Sequence, residues 1–177
     1  MRKVFIGMIL VFIDFDLTLN NIVIGLIPDF IGYFMMIGGL NEIIDYSSDF
    51  RKVLPFVKLM AVFSTISYIL GFFGIWRGGN DFLGFVIGLI ITCISIYICY
   101  CIVMGIREIE EKRGQDLNSH NLYSAWKVGA ILNVVTYALL IFPVLAFLSI
   151  LSSFIAYIFY LVEFNKTKNL FYEYNPE

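Results

Sequence analysis

Three carboxylates belong to the first apolar hairpin of the chain, Asp14, Asp16 and Asp29, and Tyr33 follows the last of them by one helical turn. A charge at mid-membrane costs at least ~2.5–3.5 kcal/mol on insertion scales, so an acid kept there usually has a task. Two acids at one depth can share a proton or hold a cation, because close like charges do not both ionise cheaply. With a turn near Leu19–Asn21 and helical arms, Asp14 and Asp29 would lie at comparable depths, roughly 8–12 Å below that turn. Tyr33 would reach Asp29 along the same helical face through its hydroxyl. Asp14, Asp16, Asp29 and Tyr33 are therefore the candidate ion- or proton-binding group.

A second reading of the same residues is structural. Proline is the residue type that opens a helix, so Pro28 would place Asp29 in a first turn, where the helix dipole favours a carboxylate. The second membrane helix then runs from Pro28 to about Asp45, roughly 27 Å. Leu17–Ile27 becomes an outer loop or half-inserted segment, Asp14 and Asp16 move toward the interface, and Tyr33 anchors at that interface. The two readings part on how far Asp29 lies below the outer surface.

Other chemistry finds little purchase. There is no G-x-S-x-G elbow, H-E-x-x-H, P-loop or C-x-x-C. The single histidine, His120, sits in a polar segment away from Cys93, Cys99 and Cys101, which share one apolar run and read as small packing residues. No enzyme, metal or cofactor is expected, and a net charge of −2 gives no footing for nucleic acid.

The elements that must hold these residues are membrane helices. The 177 residues are 60% hydrophobic and 15% charged, with a mean hydropathy of +0.86. A soluble domain carries roughly 45–50% apolar and about 25% charged residues, so a water-soluble fold could not hide this surplus. Met1-Arg2-Lys3 followed by Val4–Ile13 resembles the start of a signal peptide but lacks a small-x-small cleavage site, and reads as an uncleaved first span. The expected fold is an all-α polytopic bundle forming one membrane domain, residues 1–177. Its six spans fall at about 4–17, 22–44, 55–76, 82–106, 127–143 and 145–163, joined by a cytoplasmic connection over 107–126. The last two come from Val128–Val162, about 52 Å as one helix and too long for a ~30 Å hydrocarbon core. Pro143 lies near its middle and marks a tight turn at Phe142–Leu145. With both termini in the cytoplasm, this count places every lysine and arginine except Arg77 on the inner side.

Local signals match these limits. Gly78-Gly79-Asn80-Asp81 reads as an outer turn, with Asn80 capping the fourth helix. Glu108 and Lys112 stand at i,i+4 before Gly114, a C-cap candidate. Asn118 is expected to cap the fifth helix, with Leu117 and Leu122 as its hydrophobic staple. Trp76 and Trp126 suit the interface belts, Asn133 an interhelical hydrogen bond, and Pro55 either opens the third span or kinks a helix begun near Asp49. Gly25, Gly32 and Gly39 recur every seventh residue, and Gly84 and Gly88 form a small-xxx-small pair; both are expected to pack helices.

Ile27-Pro28-Asp29-Phe30-Ile31-Gly32-Tyr33, followed by Gly38-Gly39-Leu40, resembles an (L/I)-P-D-F-I-G-Y signature of small uncharacterised integral membrane proteins of Gram-positive bacteria. Gly105-Ile106-Arg107-Glu108-Ile109-Glu110-Glu111, Asp116-Leu117-Asn118 and Trp126 are a weaker echo, and together these cover about a third of the chain. The resemblance implies a bacterial cytoplasmic membrane protein and carries no activity with it. The leading expectation is a non-enzymatic structural, regulatory or interaction protein that meets the lipid bilayer and a second copy of itself or another membrane protein. The alternative is a small cation- or proton-coupled transporter using the acids of the first hairpin.

Overall fold

In a dry interior every backbone N–H and C=O needs a partner, and a helix supplies partners within one segment. A computed structural model describes residues 1–12, 16–19, 22–25, 28–73, 82–140 and 142–175. The described residues form six α-helices: α1 (Arg2–Phe12), α2 (Asp29–Ile43), α3 (Ser48–Phe72), α4 (Phe82–Arg113), α5 (Ser119–Leu139) and α6 (Pro143–Tyr174). A 3₁₀ turn over Ile44–Tyr46 joins α2 to α3. The fold is all-α apart from one small hairpin, β1 (Asp16–Leu19) with β2 (Ile22–Gly25).

That hairpin corrects the expected second helix over about 22–44. Leu19 pairs with Ile22 and Asp16 with Gly25, antiparallel, and helix begins only at Asp29. Ile22, Val23, Ile24 and Thr18 are β-branched and fit a pleated strand, while Pro28 disfavours helical backbone in the residue before it. The first helix is likewise shorter than the expected 4–17, since Leu17 lies in β1.

Each helix packs on its neighbour in sequence, and α6 returns to pack on α1, which closes the six into a ring in chain order. Arg2 N–H donates to the Tyr172 hydroxyl, so both ends of the chain lie at one end of this ring. At the α1–α2 seam backbone meets backbone. A Cβ on Gly7 would stand 2.5 Å from the Gly32 carbonyl oxygen, and one on Gly39 would stand 2.6 Å from the Val4 nitrogen. Gly25 lies in β2, so the expected heptad stripe is reduced on α2 to Gly32 and Gly39, and its partner is Gly7. Gly88 faces Tyr137 of α5 at an ordinary 3.6 Å and marks no close approach; Gly84 lies one turn before it on α4. Gly105 of α4 instead makes room for the ring of Phe50.

Phe50, Val53, Ile102, Ile106, Leu122 and Phe164 are fully buried, and with Val4, Met8 and Leu40 they form the core at the end where the termini meet. Toward the other end the helices turn large apolar side chains outward: Val62, Ile66 and Phe72 on α3, Phe82 and Ile90 on α4, Val134 on α5, Phe147, Leu148 and Phe154 on α6. Among the described residues, three helices are long and apolar enough to cross a membrane: Ser48–Phe72, Phe82–Arg113 and Val144–Tyr174.

Helix limits follow from local chemistry. Ser47 accepts from the Asp49 amide at the start of α3, and Pro55 is taken inside that helix. Gly114 adopts φ +63° and its N–H bonds the Glu110 carbonyl, closing α4 as a C-cap glycine does. Pro143 opens α6, immediately beyond the end of α5 at Leu139 and Leu140. Asn80, Trp76 and the turn around Gly78-Gly79 lie outside the described residues.

Candidate functional site

The helix that Pro28 opens carries the first two candidates. Pro28 is extended (φ −65°, ψ 127°) and accepts from Ile31, and Asp29 is the first residue of α2, half-buried at the end of the ring opposite the termini. Asp16 begins β1, and Asp14, the expected partner of Asp29, lies outside the described residues. Tyr33, one turn beyond Asp29, is not an interface anchor. It is 4% exposed, points into the ring, and its hydroxyl faces Ser95 of α4 while lying within electrostatic reach of Asp29 and Cys99.

Around that contact the interior becomes polar. Cys99, one turn after Ser95 on α4, faces the hydroxyl of Tyr160 on α6. Asn133 of α5, of which an interhelical bond was expected, donates from Nδ2 to the Gly129 carbonyl of its own helix at 2.8 Å and faces Tyr157 of α6. Two small cavities adjoin these groups. One, of about 30 Å³, is lined by Ser95, Cys99, Trp126, Gly129, Asn133 and Tyr160 among others. The second, of about 20 Å³, is bounded by Tyr33, Met36, Ser95 and Cys99. Phe12, Ser95 and Cys99 line both. Sequence reading took Cys99 as packing and passed over Ser95, Tyr157 and Tyr160. The signal available was spacing: Ser95 and Cys99 at i,i+4 on α4, and Ala125, Gly129 and Asn133 at i,i+4,i+8 on α5, each on one helical face. Trp126, expected in an interface belt, also has partners within the ring. It is half-buried, packs on Tyr100 and Tyr123, and its indole N–H donates to the Ile96 carbonyl at 3.1 Å.

The second polar region is the end where the termini meet. Ion pairs gather there: Lys3 with Glu42, Arg51 with Asp45 at 3.9 Å, Lys52 with Asp49 at 2.7 Å, Arg107 with Glu111 at 3.0 Å, Lys112 with Glu108 at 2.6 Å and Lys166 with Glu163 at 2.7 Å. Most are exposed, and each contributes little to stability. Two glutamates do more than solvate this surface. Glu108 accepts from the Ser47 hydroxyl and from the Ser48 N–H at 3.0 Å, holding the start of α3. Lys112 and the Ser47 hydroxyl hold its carboxyl down to about 2 from an ordinary 4.5. Glu110 accepts from the N–H groups of Leu117 and Ser119, both at 3.1 Å, and so caps α5. Asn118 stands at the expected N-cap position with φ +63° but makes no capping bond with its own side chain; its amide donates to the buried Glu163 at 2.7 Å instead. Leu117 and Leu122 are both fully buried beside it.

Chemically, the interior cluster offers hydroxyls, a thiol and an amide rather than a charged pair. Among the described residues no three His, Cys, Asp or Glu side chains stand together in a way that would hold a metal ion. No protein-family model, curated protein or solved structure matches the chain.

Proposed function

We propose that the chain is a multi-pass membrane protein crossing the bilayer six times with both termini in the cytoplasm, and that its role is structural, regulatory or interactive rather than catalytic. The observation that carries this is segregation: the ion pairs collect at the end of the ring where the termini meet, and the rest of the helical surface is apolar. Exposed apolar surface on that scale is what lipid contact requires. The positive-inside rule assigns the charged end to the cytoplasm. Helices α1 and α2 extend only about 16 and 22 Å at ~1.5 Å per residue, and the β1–β2 hairpin, whose outer edges need water or protein partners, joins this first pair of spans at the outer surface. The Ile27–Tyr33 resemblance agrees with a bacterial cytoplasmic membrane. In a cysteine-free background, Gly79→Cys is expected to react with an impermeant maleimide on intact cells, while cysteines placed beside Arg2 and Glu173 are protected until the cells are opened. Labelling of either terminus from outside, or extraction of the protein by alkaline carbonate, would overturn the assignment.

A second reading, proton- or cation-coupled transport, draws on one contact: Asp29 lies within electrostatic reach of Tyr33, which joins the interior cluster through Ser95. Asp29→Asn should then abolish an ion-dependent flux in reconstituted vesicles without loss of folded protein. Unchanged flux removes this reading.

A further inference from the structure

The two interior cavities adjoin polar groups that an apolar core would not contain. Ser95 lies about 20 Å along α4 from Phe82 and about 27 Å from Arg113, at ~1.5 Å per residue, so the cluster stands deep within the ring. Tyr160 is 3% exposed, lines the larger cavity, and its hydroxyl meets no oxygen or nitrogen partner among the described residues; only the sulfur of Cys99, a weak partner, faces it. A buried hydroxyl left in that condition is costly, and native interiors relieve such groups with ordered water.

Room for water is built into the helix faces. α5 presents Ala125, Gly129 and Asn133 to the cavity, and a Cβ added at Gly129 would meet nothing within 4 Å. At ~10–15 Å³ for each water held, cavities of about 30 and 20 Å³ accept three to five molecules between them. Within otherwise apolar walls, Ser95, Cys99, Asn133, Tyr157 and Tyr160 border the larger cavity and Tyr33, Ser95 and Cys99 the smaller, so each offers the two or more partners that a water needs. Toward the charged end the path is closed by Ile102, Ile106, Leu122 and Phe164, all fully buried.

We infer that the cavities form one blind, hydrated chamber inside the ring, a binding site for water and neutral hydrogen-bonding solutes of its size, with Ser95 and Tyr160 as its principal contacts. The chamber belongs to the helix packing and is the same for either orientation in the membrane. It is tested on the full chain in proteoliposomes by water-edited solid-state NMR, which follows magnetisation from mobile water into side-chain carbons. Ser95 and Cys99 are expected to build up at least threefold faster than Ile102 and Ile106, and Gly129→Leu, which fills the chamber, should erase the difference. Equal build-up at all four positions in the wild type overturns the inference, as does a difference that survives in folded Gly129→Leu protein. Tyr160→Phe gives a second measurement that does not depend on that variant. In a hydrated chamber removal of the hydroxyl leaves the unfolding temperature unchanged or lowered, whereas a rise would show that the hydroxyl had been stranded in a dry void.

Discussion

Adjacent glycines on α2 offer a controlled measurement of the α1–α2 contact. A Cβ at Gly39 would lie 2.6 Å from the Val4 nitrogen and 2.7 Å from its Cγ2, whereas one at Gly38 would come no nearer than 3.8 Å to the end of the flexible Lys3 side chain. Ordinary contact begins at 3.4 Å, so Gly39→Ala requires α1 to retreat by roughly 3.4 − 2.6 = 0.8 Å, against backbone that cannot rotate away. Overpacking of this kind costs about 1–3 kcal/mol. Both substitutions gain the same ~1 kcal/mol of helix propensity from replacing glycine. The propensity gain cancels in the comparison, leaving Gly39→Ala less stable than Gly38→Ala by about 1–3 kcal/mol, the whole of the packing cost. Unfolding by sodium dodecyl sulfate in mixed micelles, followed by tryptophan fluorescence, reads that difference directly. Equal stabilities for the two variants would refute the claim that the helices meet backbone to backbone at this point.

The charged end supplies two further tests. Glu108 has its folded-state carboxyl lowered to about 2 by Lys112 and Ser47, so it adds stability that is fully present above the ordinary value of 4.5 and fades as pH falls from 4.5 toward 2. Glu108→Gln should lower stability at neutral pH, and its unfolding midpoint should converge with that of the wild type across that acid window. Glu110→Ala removes the acceptor of two backbone N–H bonds at the start of α5, a loss of about 1–2 kcal/mol on the scale of helix caps. Hydrogen exchange of the amides from Leu117 to Leu122 should quicken in this variant while those of α3 keep their protection.

The later helices were legible because length and proline speak plainly in this chain. Val128–Val162 is too long for one crossing, and Pro143 divides it where α6 in fact begins. Gly114 and the Glu108–Lys112 pair behaved as their spacing predicts. The first hairpin resisted reading because Ile22-Val23-Ile24-Gly25 is a short apolar run, and periodicity alone does not separate a buried strand from a helix segment in so few residues. Pro28 was the stronger signal there, and it correctly marked the start of α2. At the candidate site, Tyr33 and Asn133 could be picked out as polar residues in apolar surroundings, but their partners could not. Ser95 lies far from Tyr33 in sequence, on a helix that is not its neighbour, and Tyr157 faces Asn133 only once α6 folds back on α5. The Glu108 contact escaped for the same reason: it serves a helix that begins 60 residues earlier, a distance over which no local capping rule operates.

Closure of the ring also sets the order in which the molecule can be completed. The surface of α1 that receives α6, including Phe5 against Phe164 and Phe12 against Tyr157, is synthesised well before its partner and waits for it. Until Tyr157 and Phe164 are synthesised, that flank stays open to lipid or to any assisting insertion factor. A nascent chain stopped after α5 therefore holds an unfinished edge, and the final helix acts as the closing stave of the barrel.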